Sequence, residues 1–246
     1  MNNSRKWLVL AIFSTWITAC AGPEQTSEFF DPFEPVNREV HTLNKALDTV
    51  VVRPAARGYG GVVPQPLRSG VNNFATNLGA PGDVLNDLLQ FNLEDALHNT
   101  ARFLVNSTIG LGGLIDVASA SGAEPRETDF GETLHVWGLG EGAYLELPFY
   151  GPSTTRDALG MLVDMAIDPV AQFLPPDAQK ALLVATLAGK LDSRYRFEAT
   201  VDSVLYDSAD SYSQTRLLYM ENRRFALGQT VEENDEDLYE GMFDDF

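Results

Sequence analysis

PVNREVHTLNKALDTV, residues 35–50, decides how the rest of the chain is read. Val36, Val40, Leu43, Leu47 and Val50 recur at spacings of 4, 3, 4 and 3. That period places one apolar stripe along a helix. Pro35 suits the first helical position, where its missing N–H costs no hydrogen bond. Asn37, Arg38, Asn44 and Lys45 fall mostly off the stripe. The stretch therefore predicts an amphipathic helix that opens a mainly α domain over residues 35–228.

The same period recurs downstream. Leu67, Val71, Phe74 and Leu78 predict a helix stopped by Gly79, Pro81 and Gly82, and Val84, Leu85, Leu88 and Leu89 a short one after it. Before them, RPAARGYGGVVPQP, residues 53–66, reads as a Pro/Gly-rich connector. Asn92 and Asp95 resemble a capping box ahead of Leu93, Leu97, Ala101 and Leu104. GLGGLID, residues 110–116, ends that helix. Residues 122–152 are the least helical, with LHVW and AYLEL as short candidate strands. Ser153 is positioned to cap a helix through Ala158, Leu162, Met165 and Ala166. Pro175 and Pro176 open a long helical stretch from Asp177 towards Leu205. A last helix runs from Ala209 to Leu227, with Gly228 as its stop. A leucine-rich stripe such as ALLVATLAG, residues 181–189, is helix core by default; contact with acyl chains is the sharper alternative.

Upstream, the chain opens with Arg5 and Lys6 and then WLVLAIFSTWITA, residues 7–19. This apolar run is too short to span a bilayer as a helix, which takes about 20 residues, but it suits the core of a signal peptide. Ile17-Thr18-Ala19-Cys20 looks like a bacterial lipobox. The resemblance implies a signal peptide at 1–19 and a mature chain starting at Cys20, acylated by chains such as palmitate. Ala21, rather than Asp, at the next position favours sorting to the outer membrane. Residues 20–34 then read as an acylated tether with a docking end. At the other terminus, residues 229–246 carry eight acidic side chains and no basic one, and self-repulsion predicts a disordered tail.

Charge and motif content exclude several functions. With 35 acidic against 17 basic residues and a net charge of −18 in 246 residues, the chain has no footprint for nucleic acid. Its one cysteine and three scattered histidines, His41, His98 and His135, match no zinc spacing, so no metal or cofactor is expected. There is no GxSxG elbow, no phosphate-binding loop and no ATP signature, and no catalytic residue is assigned. Gly138, Gly140 and Gly142 lack the βαβ setting of a dinucleotide site and read as turn glycines. Tyr212, Arg216, Tyr219 and Arg223 share one helix face, with Arg224 beside it. They either pair with the chain's own carboxylates or form a polar channel wall or a phosphate contact.

Several stretches in order then resemble one family: DPFEPVNREVHTLN at 31–44, VPQPLRSGVNNFATNL at 63–78, RFLVNSTIGLGGLIDVA at 102–118, DFGETLHVWGLGEGAYLELPFYGPSTTRD at 129–157 and DSYSQTRLLYMENRRF at 210–225. The chain is similar to the MlaA (VacJ) family of outer-membrane lipoproteins. The resemblance implies a single ring-like domain of amphipathic interfacial helices with a Gly/Pro-rich irregular middle segment. It implies a polar channel that takes phospholipids from the outer leaflet and hands them to a periplasmic carrier of the Mla type, with a trimeric porin as a possible companion. The motif positions it marks, as structural or channel residues, are Asp31, Pro32, Asn37, Arg38, Pro148, Phe149, Tyr150 and Gly151. A lipid-anchored hydrolase and a docking scaffold at the outer membrane are the competing expectations.

Overall fold

The computed structural model describes residues 29–229. The lipobox with Cys20, the signal peptide, most of the tether and the acidic tail lie outside these residues. The described chain is a single domain of helices with one small hairpin. Helix α1 spans Glu34–Leu47 and passes through a π-helical turn, Asp48–Val52, into α2, Arg53–Val62. Then come α3, Gln65–Leu89; α4, Leu93–Thr108; α5, Val117–Ala120; and α6, Phe130–Val136. Strands β1, Tyr144–Leu147, and β2, Gly151–Thr154, pair antiparallel, with Tyr144 opposite Thr154 and Leu147 opposite Gly151. Helices α7, Thr155–Ile167; α8, Pro169–Phe173; α9, Pro176–Arg196; and α10, Glu198–Asp202, follow. A second π-helical turn, Ser203–Asp207, leads to α11, Ser211–Ala226.

The helices face the opposite way from those of a water-soluble protein. On α1 and the π-helical turn that continues it, the apolar stripe points outward: Val36, Leu43 and Val50 are 63%, 51% and 74% exposed. The polar stripe of Asn37, His41 and Asp48 is buried. Helix α4 repeats this, with Leu93, Leu97 and Leu104 exposed and Asn99, Arg102 and Asn106 buried. On α9, Leu183, Val184 and Leu187 face out while Asp192 and Arg194 face in. The core default for residues 181–189 is therefore overturned. In water an amphipathic helix hides its apolar face, because burial of apolar area is the main favourable contribution to folding. Here the apolar area stays outside, and the interior is held by hydrogen bonds and ion pairs. The one apolar cluster among the buried residues is small: Phe29, Tyr144, Tyr212 and Met220, with Leu217 and Tyr219 packed on it.

Several element boundaries differ from the sequence reading, each for a local reason. Residues 53–62 are helix, not connector. Pro54 sits in the first turn of α2, and Gly60 permits close packing, since a Cβ there would lie 2.2 Å from the Tyr195 ring of α9. The helices expected at 67–78 and 84–89 are one, α3, running through Pro81. A proline inside a helix costs about 3 kcal/mol, and buried polar contacts on both sides offset it. Asn77 donates to Ser107 at 2.9 Å, and Asn86 donates to Asp164 at 2.9 Å. LHVW is not a strand. Asp129 caps α6 by accepting the Glu132 N–H at 2.8 Å, and buried Thr133 donates to Asn86 at 3.0 Å. AYLEL does supply β1. The cap of α7 is Thr154, which accepts the Asp157 N–H at 3.1 Å, whereas Ser153 stays in β2 opposite Leu145. The stretch opened by Pro175 and Pro176 breaks at Phe197. Asn92 caps α4 as expected, accepting the Asp95 N–H at 3.2 Å.

Candidate functional site

The marked residues Asp31, Asn37 and Arg38 form a clasp between the start of the described chain, the hairpin and α11. The Asn37 amide reads two backbones: its Nδ2 donates to Tyr144 O at 3.1 Å and to Asp31 Oδ1 at 2.9 Å, and its Oδ1 accepts the Glu146 N–H at 3.0 Å. The Asp31 carboxylate also accepts from the Tyr212 hydroxyl and from Arg216 Nη1, the latter at 2.5 Å. Arg38 forks to Asp210 at 3.1 and 2.9 Å and reaches Glu34 at 2.8 Å. Those two carboxylates, Asp210 first, hold its guanidinium above the ordinary arginine range. Pro32 is exposed beside this clasp and takes no part in its hydrogen bonds.

Pro148, Phe149 and Tyr150 make the turn of the hairpin, ahead of Gly151. Phe149 takes a left-handed φ of 66° and Gly151 one of 91°. Such a backbone is uncommon for a bulky residue. Asn44 holds it, accepting the Phe149 N–H at 2.8 Å and donating to Leu147 O at 3.0 Å. Asn44 was placed only by its position off the apolar stripe; its role depends on a contact about a hundred residues away in sequence.

This turn stands at the edge of a cavity of about 680 Å³ walled by His41, Asn44, Asp48, Glu146, Phe149 and Tyr150. Tyr150 also borders a second cavity, of about 490 Å³, which runs to Asp83, Thr128, Asp129, Asp157 and Asp164. Asp83, Thr128 and Asp129 recur in the wall of a third, of about 550 Å³, together with Glu132 and Arg223. The cavities thus share walls in series, and the shared walls are polar.

The arginines of α11 belong to the chain's own carboxylates, and one of them, Arg223, also lines this series. Arg223 bridges Asp129 at 2.9 and 2.7 Å and Asp157 at 3.1 Å, while Arg224 grips Glu141 at 2.6 and 3.1 Å. Arg223 thus pairs with the chain's own carboxylates and borders a cavity as well. Asp83, which no motif flagged, behaves differently. Burial, reinforced by Glu127, Asp87 and Asp164, pushes its carboxyl from 3.8 up to about 7 against the pull of the Thr128 N–H. A carboxyl raised in this way favours the folded state only while neutral. Stability is fully present below the unfolded value near 3.8 and falls as pH rises towards 7. Asp83→Asn is therefore expected to raise the unfolding temperature, and by more at pH 8 than at pH 5 in paired thermal melts. A larger gain at pH 5 would contradict this account.

Sequence reading also missed a serine–histidine–carboxylate alignment. His41 Nε2 lies 3.1 Å from Ser211 Oγ, and His41 Nδ1 lies 3.4 Å from Glu146 Oε1. An acyl-transfer site needs donors aimed at the developing oxyanion as well. The nearby N–H groups of Tyr212 and Ser213, at 3.1 and 3.2 Å, are already taken by Asp210 Oδ1. Among the described residues no group of three or more His, Cys, Asp or Glu side chains is arranged to hold a metal ion.

Fold and site together define an inverted helical domain, apolar outside, with a series of cavities whose walls combine polar groups with apolar side chains. The chain belongs to the MlaA lipoprotein family, whose model matches residues 29–226. Its relatives include the intermembrane phospholipid transport system lipoproteins MlaA of Shigella flexneri and Escherichia coli strain K12. Each is 36% identical over 226 residues, covering 88% of this chain and 86% of the relative. The chain is also similar to a structure solved to explain the maintenance of bacterial outer-membrane lipid asymmetry. That match has 30% identity and a TM-score of 0.68, over 80% of this chain and 98% of the other.

Proposed function

We propose that this chain is an outer-membrane lipoprotein, held at the periplasmic face by acylated Cys20. It removes mislocalised phospholipids from the outer leaflet and passes them along its cavities to a periplasmic carrier. The carrier returns them towards the inner membrane, and the outer membrane keeps its lipid asymmetry. The observation that carries this reading is the inversion of the helices: apolar stripes outside, and within them cavities that set polar groups on partly apolar walls, suit a body set in lipid that conducts a headgroup with its tails. No helix of the described residues is long and apolar enough to cross a membrane, which fits a body lying in one leaflet. Asp31, Asn37 and Arg38, with Pro32 beside them, hold the wall together. Phe149, Tyr150 and Gly151 line the cavity of about 680 Å³, with Pro148 ahead of them in the turn. The exposed apolar surface also offers a face to a trimeric porin.

Deleting the gene is expected to increase phospholipid at the cell surface and sensitivity to detergent, and the wild-type gene to restore both. Unchanged exposure in a strain with no second copy would end the transport reading. Cys20→Ser is expected to abolish incorporation of labelled fatty acid and to restore neither phenotype. A Cys20→Ser chain that still takes the label would show that the anchor is elsewhere.

A further inference from the structure

The cavity series has a side chamber of about 160 Å³ that shares Thr76, Asp83 and Glu127 with the third cavity. Asn77 lines it and is 5% exposed. Its Nδ2 is used by Ser107, while its Oδ1 is buried with no hydrogen-bond partner. A buried amide oxygen left without a donor costs free energy, so the chamber wall lacks one hydrogen-bond donor at Asn77 Oδ1.

The charge around the chamber is one-sided. Arg102 is turned to Asp116, Ser119 and the Ala123 carbonyl. Arg223 is committed to Asp129 and Asp157. Of the carboxylates on the chamber wall, Asp83 and Glu127 make no ion pair among the described residues, and Asp83 accepts only from the Thr128 backbone. An acceptor without a donor and carboxylates without cations ask for the same ligand, a group that is cationic and rich in N–H.

Resting on the transport reading above, we infer that this chamber sorts headgroups: a phospholipid ending in a primary ammonium docks there, at Asp83, Glu127 and Asn77 Oδ1, in preference to one whose headgroup is net anionic. The ammonium supplies the missing donor to Asn77 and a counter-charge to Asp83 and Glu127. A glycerol headgroup supplies hydroxyl donors but no charge, and its phosphate faces the acidic walls uncompensated. Burial already penalises the Asp83 carboxylate, so relief by a cation is larger there than at an exposed acid.

The test uses the full-length acylated protein in nanodiscs of equimolar phosphatidylethanolamine and phosphatidylglycerol, with retained lipid read by native mass spectrometry. The expected result is about tenfold enrichment of the ethanolamine lipid, equivalent to about 1.4 kcal/mol. Asp83→Asn/Glu127→Gln, isosteric and expected to fold at least as well, brings the ratio close to one. Parity or a preference for the glycerol lipid in the wild type overturns the sorting. So does an enrichment that the double variant leaves intact. A wild-type chain that binds both lipids equally loses only the sorting, whereas one that retains no lipid at all loses the transport reading with it.

Discussion

Arg194→Ala is expected to lower the unfolding free energy by about 3–5 kcal/mol, the usual cost of stranding a buried charge. Arg194 Nε and Nη2 meet Asp48 at 2.9 and 2.8 Å, and Nη2 also meets Asp202 at 2.6 Å. Tyr206 adds a hydrogen bond to Asp48 at 2.7 Å. The network ties the first π-helical turn to α9, to α10 and to the second π-helical turn, so its loss is felt in four elements. Replacing both partners, as in Asp48→Leu/Arg194→Met, is expected to recover most of the loss, because the remaining carboxylate, Asp202, keeps its ion pair with Arg53 and no unpaired charge is left buried. Burial alone would raise the Asp48 carboxyl, but hydrogen bonds from Arg194 and Tyr206 outweigh it and hold the group below its ordinary 3.8. Its contribution is therefore present above about pH 4 and disappears as pH falls further. Chemical unfolding in detergent at pH 7 and pH 3 reads both effects. An Arg194→Ala chain as stable as the wild type at pH 7 would mean that the interior is wetter than its burial indicates.

The second large effect concerns the outer face. Leu93→Ser/Leu97→Ser/Leu104→Ser removes three side chains that α4 presents outward, the first two 69% and 72% exposed. Each leucine gains about 1.5–3 kcal/mol when fully buried in an apolar phase. Losing three is expected to weaken vesicle binding by more than about a hundredfold, even with partial immersion. The measurement belongs in a Cys20→Ser background, so that the helices and not the acyl chains are read. Unfolding in detergent should hardly change, since α4 is held from inside by Asn99, Arg102 and Asn106. Asn99 donates to Asp87 at 2.8 Å and Asn106 to Asp116 at 2.9 Å. Collapse of the fold with vesicle binding intact would reassign these leucines to a core.

The contrast between these experiments shows what the sequence makes legible. The period of α1, α4 and α9 identifies helices and their two faces, because a repeat of 3.6 residues reports contrast around an axis. It does not report which face meets solvent, and that sign depends on whether the surroundings are water or lipid. Gly60 and Pro81 misled for a related reason: in water they are punctuation, whereas here one admits the Tyr195 ring and the other is outvoted by buried amides. The clasp at Asp31 and Asn37 was marked only through family resemblance. Asp83, Asn77 and the His41 alignment carry no local signature, since their partners lie on other elements. The cap expected at Ser153 lies one residue from the true one, Thr154, whereas the Asp129 cap sits ahead of LHVW, a stretch that alternation in the sequence presents as strand.

Phe29, where the described chain begins, lies under the Arg224 guanidinium at 5.0 Å, in the last turn of α11. Phe30 O accepts the Tyr144 N–H at 2.8 Å, and Arg38 and Arg216 complete the contact. Entry and exit therefore coincide, and the wall is closed there by a non-covalent seam. In topological terms the domain is nearly circular. Opening the backbone at an exposed turn and joining 229 to 29 through a short linker rearranges the order of the helices without moving any of them. Such a permuted chain moves the point at which residue 29 is joined to the segment before it to another side of the same body.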